Sequence, residues 1–517
     1  MTKQSAKESI RRYLKTIIPL IFLAFCLVAF WAGIYVSDTF PGQSADELFF
    51  YLFNNAAGQG GGLFIDGMKA MALPFILSWV FLVFLIYGSF RKPIKIGDCV
   101  IFPIKHKKIV TAVICVILLS LGLQCVGFFS YIFSDFHADE FIEMSYVEPS
   151  GKVKAPEKKR NLLIIEVESL ETTVFTREQG GGWDEEVCPE LYALLSDPDA
   201  VYFAVDGKVQ GTPSVTATTW TTAALVSYTS GLPFKIPWAM RNSYRSDHFM
   251  QGAYTIGDTL KEQGYKNVLI SGAMTNFGGV GDYFTNHGSY DVIDVNDYWE
   301  YGFSFPNSQR NEWGFSDEVL MMYMAKEYIE NYDSDQPLHL MLSTIDTHFN
   351  GYLYEKGNGY TGSETKFGNQ TENVYATTSR VVGEFISWLK TTEFYKNTTV
   401  LIIGDHENML KGFCDDDAPR GRYNVILNGV KQPASDPHRR VFTPMDFYPT
   451  VLSAMGFEIE GDRLALGVDL YADIPTLAEI NGIHALNNRL NAKSDFFDNY
   501  ILGDDAEWLK KMAEEDE

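Results

Sequence analysis

The 517-residue sequence predicts an α/β domain carried behind an N-terminal anchor of three membrane-crossing helices. Three observations lead there. Charge-free apolar stretches at 16–36, 70–90 and 109–133 each reach the roughly 20 residues a helix needs to cross a bilayer. After residue 160, continuous apolar runs alternate with helical patterns, as in an open sheet covered by helices on both faces. The charge also changes sign: residues 1–134 hold 12 Lys/Arg and 6 Asp/Glu, and the remainder hold 30 and 60. A hydrophobic fraction of 46% excludes disorder as the main state, and a net charge of −24 argues against nucleic acid as a partner.

The first apolar stretch is too long for a cleaved signal peptide, and no small-x-small site follows it closely. Lys3, Lys7, Arg11, Arg12 and Lys15 precede it. The next loop is acidic (Asp38, Asp46, Glu47, Asp66), and the one after is basic again (Arg91, Lys92, Lys95, Lys105, Lys107, Lys108). Positive-inside bias therefore places the N-terminus in the cytoplasm and everything after Ser134 outside. Residues 1–134 read as the transmembrane region and 135–160 as a solvated linker with a basic end. The outer domain is expected over 161–475 and an acidic C-terminal tail over 476–517. Cys188 and Cys414 can pair or remain free, and sequence alone does not choose.

Buried central strands are expected at Asn161–Val167, Lys266–Ser271, His339–Ile345 and Thr399–Gly404. Helical patterns at Thr255–Gln263, Asp317–Asn331 and Tyr375–Thr391 separate them. In such sheets ligands gather at the carboxyl ends of the strands. The first run ends in Glu168, the third in Asp346, His348 and Asn350, and the fourth in Asp405, His406 and Glu407. Carboxylates and imidazoles converging on one sheet edge suit Mn²⁺ or Zn²⁺ better than a thiolate-seeking metal. A Thr-rich segment, with Thr216, Thr218, Thr219, Thr221 and Thr222, leads into a helix that Gly231 and Pro233 should close. Thr218 or Thr219 is the expected N-cap. A hydroxyl there, beside a metal, would be an activated nucleophile.

Five motifs in order carry a resemblance: Asn161–Glu171, the Thr-rich helix ending at Gly231-Leu-Pro, Glu312–Asp317, Asp346-Thr-His348 and Gly404-Asp405-His406. Over roughly 161–470 the chain resembles the lipoteichoic acid synthase and phosphoglycerol transferase family, within the alkaline phosphatase/sulfatase superfamily. The resemblance implies a sulfatase-like α/β/α sandwich. It implies a single divalent ion, Mn²⁺ with Zn²⁺ or Mg²⁺ as alternatives, held by Glu168, Thr218, Asp405 and His406. It implies Thr218, thirteen residues before Gly231, as the nucleophile; Thr219, Thr221 and Thr216 are the near misses if that spacing slips. His348 is implied to contact the phosphoglycerol group and to act as general acid, with Asn276 and Trp313 as further substrate contacts. The synthases usually carry five spans, and they offer a Trp and an Arg in the segment matching Gly272–Tyr283. This chain has three spans and no basic residue in that segment, which points away from polymer synthesis, while the Trp220-Thr221 context and the Asp346-Thr-His348 triplet look closer to the phosphoglycerol transferases that decorate glycans.

The implied function is extracellular transfer of glycerol phosphate from phosphatidylglycerol to a cell-envelope glycan or glycolipid, at the membrane. Phosphoethanolamine transfer and phosphodiester hydrolysis are the alternatives within the superfamily. A sulfatase activity is excluded because no C/S-x-P-x-R string supplies a formylglycine. A catalytically dead binding module should have lost a ligand residue, and all four are present. Asp436–Arg440 reads as a surface loop.

Overall fold

The computed structural model describes residues 3–40, 45, 47, 48, 50, 61–87, 94–96, 99–101, 104, 106–134, 136–236, 249–311, 313–349, 351–357 and 359–503. Glu312, Asn350, Asp46, Arg91, Lys92, Lys105 and the acidic end from residue 504 lie outside the described residues. The chain divides into two compact units, Met1–Ala45 with Gly60–Phe133 and Asp46–Gln59 with Ser134–Glu517.

The first unit holds α1 (Lys3–Thr39), α2 (Gly61–Tyr87) and α3 (Lys107–Cys125). Within them Ile17–Thr39, Gly67–Tyr87 and Lys107–Cys125 are long and apolar enough to cross a membrane. The third is shorter than its apolar stretch because Gly127 turns left-handed, at φ +70, behind Cys125. Small residues bring α1 and α3 together. A Cβ at Gly33 would come within 2.3 Å of the Gly122 carbonyl oxygen, so side chains are excluded at that crossing.

The second unit is built on a seven-stranded sheet. Its strands are β1 (Asn161–Val167), β2 (Ala200–Val201), β3 (Lys266–Ser271), β4 (Asp291–Ile293), β5 (Leu338–Ser343), β6 (Thr398–Gly404) and β7 (Asn424–Leu427). Their order is β2-β7-β6-β1-β5-β3-β4. The five strands from β6 to β4 run parallel, while β7 and β2 join antiparallel at one edge. Both faces are covered, so β1 is buried almost throughout. Leu162 and Ile164 enter one core and Leu163, Ile165 and Val167 the other. Against the first face lie α4 (Thr221–Ser230) and, later in the chain, the helix Phe447–Ala454; against the second lies α5 (Gln370–Leu389). The carboxyl ends of β6, β1 and β5 come side by side at the middle of the sheet.

Residues 136–160 are not a solvated linker. Phe141 and Ile142 are buried, Val153–Lys154 pairs with Glu458–Ile459, and Arg160 donates to the carbonyls of Thr398 (3.2 Å) and Asn428 (2.8 Å). Lys152 and Lys154 are occupied by Glu460 and Glu458 in exposed pairs, each of small energetic value. The tail expectation also fails as far as residue 503. The helix Ile483–Asn491 and the turn Phe497–Ile501 bury Leu486, Leu490, Phe497 and Ile501 in the first core. Arg489 reaches back to Asp139 at 3.1 Å, so the two ends of this unit pack on one another. Cys188 and Cys414 are both free thiols. In the loop Asp436–Arg440, Arg440 departs from the surface reading: it is buried and donates to Glu479 at 2.8 Å.

Candidate active site

β1 ends at Val167, and the two residues behind it organise the site. Ser169 adopts φ +52, a conformation that costs a non-glycine residue on the order of 1 kcal/mol. In that turn its N–H donates to Asp405 Oδ1 at 2.7 Å, and its hydroxyl donates to Glu168 Oε1 at 2.7 Å. The Ser169 carbonyl is held in turn by the Tyr375 hydroxyl at 2.8 Å. Asp405 Oδ1 also accepts from the His406 N–H at 2.7 Å. The His406 Nδ1 faces the Glu407 carbonyl at 2.9 Å, which makes it the protonated nitrogen and leaves the Nε2 lone pair inward.

That inward Nε2 lies 3.2 Å from Asp405 Oδ2 and 3.5 Å from Glu168 Oε1. Both Nε2 and Oδ2 are buried and have no hydrogen-bond partner among the described residues. Ligand atoms of Glu168, Asp405 and His406 all lie within 4.8 Å of one another. Burial, with Asp405 alongside, pushes Glu168 up to about 7. Burial works against a proton on His406, but Asp405 and Glu168 outweigh it and raise the imidazole above its ordinary value. Two buried carboxylates and one imidazole aimed at a common point fit a divalent cation, as does this oxygen-and-nitrogen donor set.

The threonines fall differently from the capping argument. α4 starts at Thr221, with Trp220 in the N-cap position and no side-chain cap, and Gly231 closes it at φ +70. The Thr221 hydroxyl donates to Glu168 Oε2 at 3.2 Å and lines the pocket beside the ligands. Thr218 is fully buried in the preceding turn. Its hydroxyl donates to the Val215 carbonyl at 2.8 Å and accepts from Arg422 at 2.9 Å. The structure thus brings Glu168, Asp405 and His406 together with the Thr221 hydroxyl on Glu168, and seats Thr218 in the turn before α4 on Arg422. The helix begins one or two residues later than the preferred cap types suggest.

The adjoining pocket is lined by Thr221, Thr222, Ser271, Thr275, Ser343 and Thr344, by Met274, Phe277 and Trp313, and by His348. Glu168 is its one formally charged lining residue among the described residues. Trp313 packs on the His348 ring at 4.5 Å and on Phe277 at 5.4 Å. Burial, with His406 nearby, holds His348 down at about 3, so it is a neutral imidazole and a poor general acid. Its Nδ1 is buried without a partner among the described residues. Asn276 is exposed and does not line the pocket. The N–H and hydroxyl of Thr275 both donate to Asp294 Oδ2 at 2.7 Å, which draws Thr275 inward and turns its neighbour out. Thr275, Ser271, Ser343 and Thr344 were not singled out from sequence. Scattered Ser and Thr at strand ends carry no pattern, although Ser271 closes one of the expected strands and Ser343 lies within another.

The sulfatase family's model matches residues 206–457. Phosphoglycerol transferase I from Xanthomonas euvesicatoria pv. vesicatoria (strain 85-10) is 30% identical over 274 residues, 52% of this chain and 37% of that protein. Phosphoglycerol transferase I from Citrobacter koseri is 28% identical over 314 residues, 60% of this chain and 39% of that protein. The chain thus spans well under half the length of these curated relatives. A solved structure from Vibrio parahaemolyticus, a protein in the alkaline phosphatase superfamily, superposes with a TM-score of 0.50 at 22% identity. It covers 68% of this chain and 78% of that one, and supports the fold.

Proposed function

Because the outer domain belongs to the sulfatase family and is similar to the phosphoglycerol transferases, we propose that it transfers glycerol phosphate through a covalent intermediate on Thr221. The donor in this reading is phosphatidylglycerol and the acceptor a hydroxyl of a cell-envelope glycan or glycolipid, with the domain on the outer side of the membrane. The observation that carries it is the Thr221 hydroxyl at the first turn of α4, hydrogen-bonded to Glu168 Oε2 at 3.2 Å.

Glu168, Asp405 and His406 would hold a divalent ion of the Mn²⁺ or Zn²⁺ class. When bound, it supplies Lewis-acid stabilisation of phosphoryl charge and lowers the pKa of a hydroxyl beside it. The rest is the work of the chain. Thr221 Oγ1 attacks phosphorus; a bond from Oγ1 to phosphorus forms as the bond to the diacylglycerol oxygen breaks. The attacking hydroxyl already shares its proton with Glu168 Oε2. The start of α4 presents free backbone N–H groups and the positive end of its dipole to the phosphorylated threonine. An acceptor hydroxyl then attacks the same phosphorus, and Thr221 leaves with its proton restored. His348, neutral and held by Trp313, offers a hydrogen bond to a headgroup hydroxyl and stores no proton.

The pocket favours glycerol over ethanolamine. Its hydroxyls suit a diol, while an ammonium would find no carboxylate except Glu168 among the described lining residues. The test is incubation of the full chain, in vesicles of labelled phosphatidylglycerol or phosphatidylethanolamine, with released diacylglycerol measured. Release from phosphatidylglycerol alone supports the reading. Release from phosphatidylethanolamine alone overturns the headgroup, and release from neither overturns the activity.

A further inference from the structure

The motif Asn161–Glu171 ends on a glutamate that the corner does not use. Glu171 is fully buried and stands three residues beyond Glu168. Its carboxylate accepts from the Asn408 N–H at 3.0 Å, from Arg420 Nε at 2.8 Å and from the Thr173 hydroxyl at 2.6 Å. Asn408 stands two residues beyond His406, and its carbonyl accepts from Arg420 at 2.7 Å. Glu171 thus braces the segment after β1 against the segment after β6, the two that carry Glu168, Asp405 and His406.

Nearer the ligands, the same two segments meet on one side chain from a third element. Tyr375 lies in the second turn of α5 and is 1% exposed. Its hydroxyl donates to the Ser169 carbonyl at 2.8 Å and accepts from Asn408 Nδ2 at 3.2 Å. Asn408 Oδ1 accepts from the Leu410 N–H at 2.9 Å, which turns the Nδ2 toward Tyr375. The Tyr375 ring packs on Trp183 and Phe413, with centroids 5.6 and 5.4 Å away. Burial pushes the phenol well above its ordinary value, so it keeps the proton it donates. The bond falls on a strained residue. Ser169, at φ +52, leaves that conformation unless it is held, and its N–H and hydroxyl fix one oxygen of Asp405 and one of Glu168. A rotation of Ser169 would therefore move two ligands at once.

We propose that Tyr375 is a positioning residue of the metal site: its one hydroxyl, donating to Ser169 and accepting from Asn408, joins the two ligand-bearing segments and sets the spacing of Glu168, Asp405 and His406 before the ion binds. This rests on the reading of those three residues as metal ligands. Tyr375 acts through Ser169 on the two carboxylates and through Asn408 on the segment behind His406. Donors already in place hold an ion more tightly than donors it must gather, and outer contacts of this kind are worth about 10- to 100-fold in affinity. Phenylalanine would keep the ring packing and remove only the joint.

The experiment titrates Mn²⁺ alone into the full chain in detergent, stripped beforehand with a chelator, and follows free Mn²⁺ by its electron paramagnetic resonance. Tyr375→Phe, Asn408→Ala and the double variant are compared with wild type, and the melting temperature of each metal-free protein is recorded. Tyr375→Phe should raise the Mn²⁺ Kd about 10- to 100-fold. Asn408→Ala removes one of the two bonds and should raise it less. The double variant should match Tyr375→Phe, because both changes act through one hydroxyl. A wild-type Kd in Tyr375→Phe would overturn the proposal whatever the melting temperature does, and would leave the tyrosine a packing residue. Losses that add in the double variant would overturn it too. If Tyr375→Phe does not fold, Asn408→Ala decides, and an unchanged Kd there is the contrary result. Asp405→Ala in the same titration separates the premise. Undiminished binding there, or no binding by wild type, strikes the ligand assignment itself, whatever Tyr375 does.

Discussion

The corner of Glu168, Asp405 and His406 and the pocket beside it adjoin at Glu168, yet they are built on opposite plans. The corner is charged and buried. Its three ligand residues follow β1 and β6 immediately, and Ser169 ties two of them with bonds of 2.7 Å. The pocket is uncharged apart from Glu168, and its walls come from α4, from the segment after β3, from the end of β5 and from Trp313 and His348. Charged groups must be held by short, chain-local geometry because a misplaced buried charge costs several kcal/mol. Hydroxyls and aromatic faces tolerate looser support, since each contact contributes about 1 kcal/mol or less.

That contrast can be broken or sharpened by substitution. The largest effect is expected at the seam. Thr221→Ala should lower diacylglycerol release by at least about 10³-fold with metal content intact; retention of more than a tenth of activity would move the nucleophile elsewhere. Asp405→Ala should come next. Loss of a direct ligand should exceed the roughly 10- to 100-fold weakening typical of outer-shell changes, read by elemental analysis of the purified protein. Full metal content would remove Asp405 from the corner. In the pocket, Trp313→Ala should raise donor KM by about tenfold, the upper worth of a stacked ring, with little change in kcat. An unchanged KM would show that the His348–Trp313 pair does not meet the substrate.

The smallest effect is a shape. A group whose folded value is depressed to about 3 gains its proton only below that pH, so His348 stays neutral throughout the range from about pH 5 to 9. His348→Gln should therefore lower the rate several-fold without removing a limb from the pH–rate profile. Disappearance of an acidic limb near neutrality would restore the general-acid role expected from sequence.

The corner was legible in sequence because each ligand follows an unmistakable buried strand: Glu168 after Asn161–Val167, and Asp405 and His406 at the end of Thr398–Gly404. The sheet was legible for the same reason. The start of the Thr-rich helix was not, since capping preference favours a threonine at 218 or 219, while the helix enters at Thr221 from an uncapped Trp220. Asn276 was placed in the pocket because its segment was recognised; the inward pull of Asp294 on Thr275 comes from a distant strand end and leaves no local mark. The two ends of the second unit were read as linker and tail because their core contributions, Phe141, Ile142, Leu486, Leu490 and Phe497, come singly or in pairs among polar neighbours. Apolar periodicity too short to count is invisible until the partner surface is known.

The central claim is that Thr221, the threonine at the start of α4, carries the phosphoryl group. Its most direct test is to trap the full chain with labelled phosphatidylglycerol in the absence of acceptor and map the adduct by fragmentation mass spectrometry. The peptide running from Val209 to Lys235 holds both candidates, so fragment ions between Thr218 and Thr221 decide. A glycerol phosphate mass on Thr221 is the predicted result. The same mass on Thr218, or diacylglycerol release with no modified threonine, would contradict it.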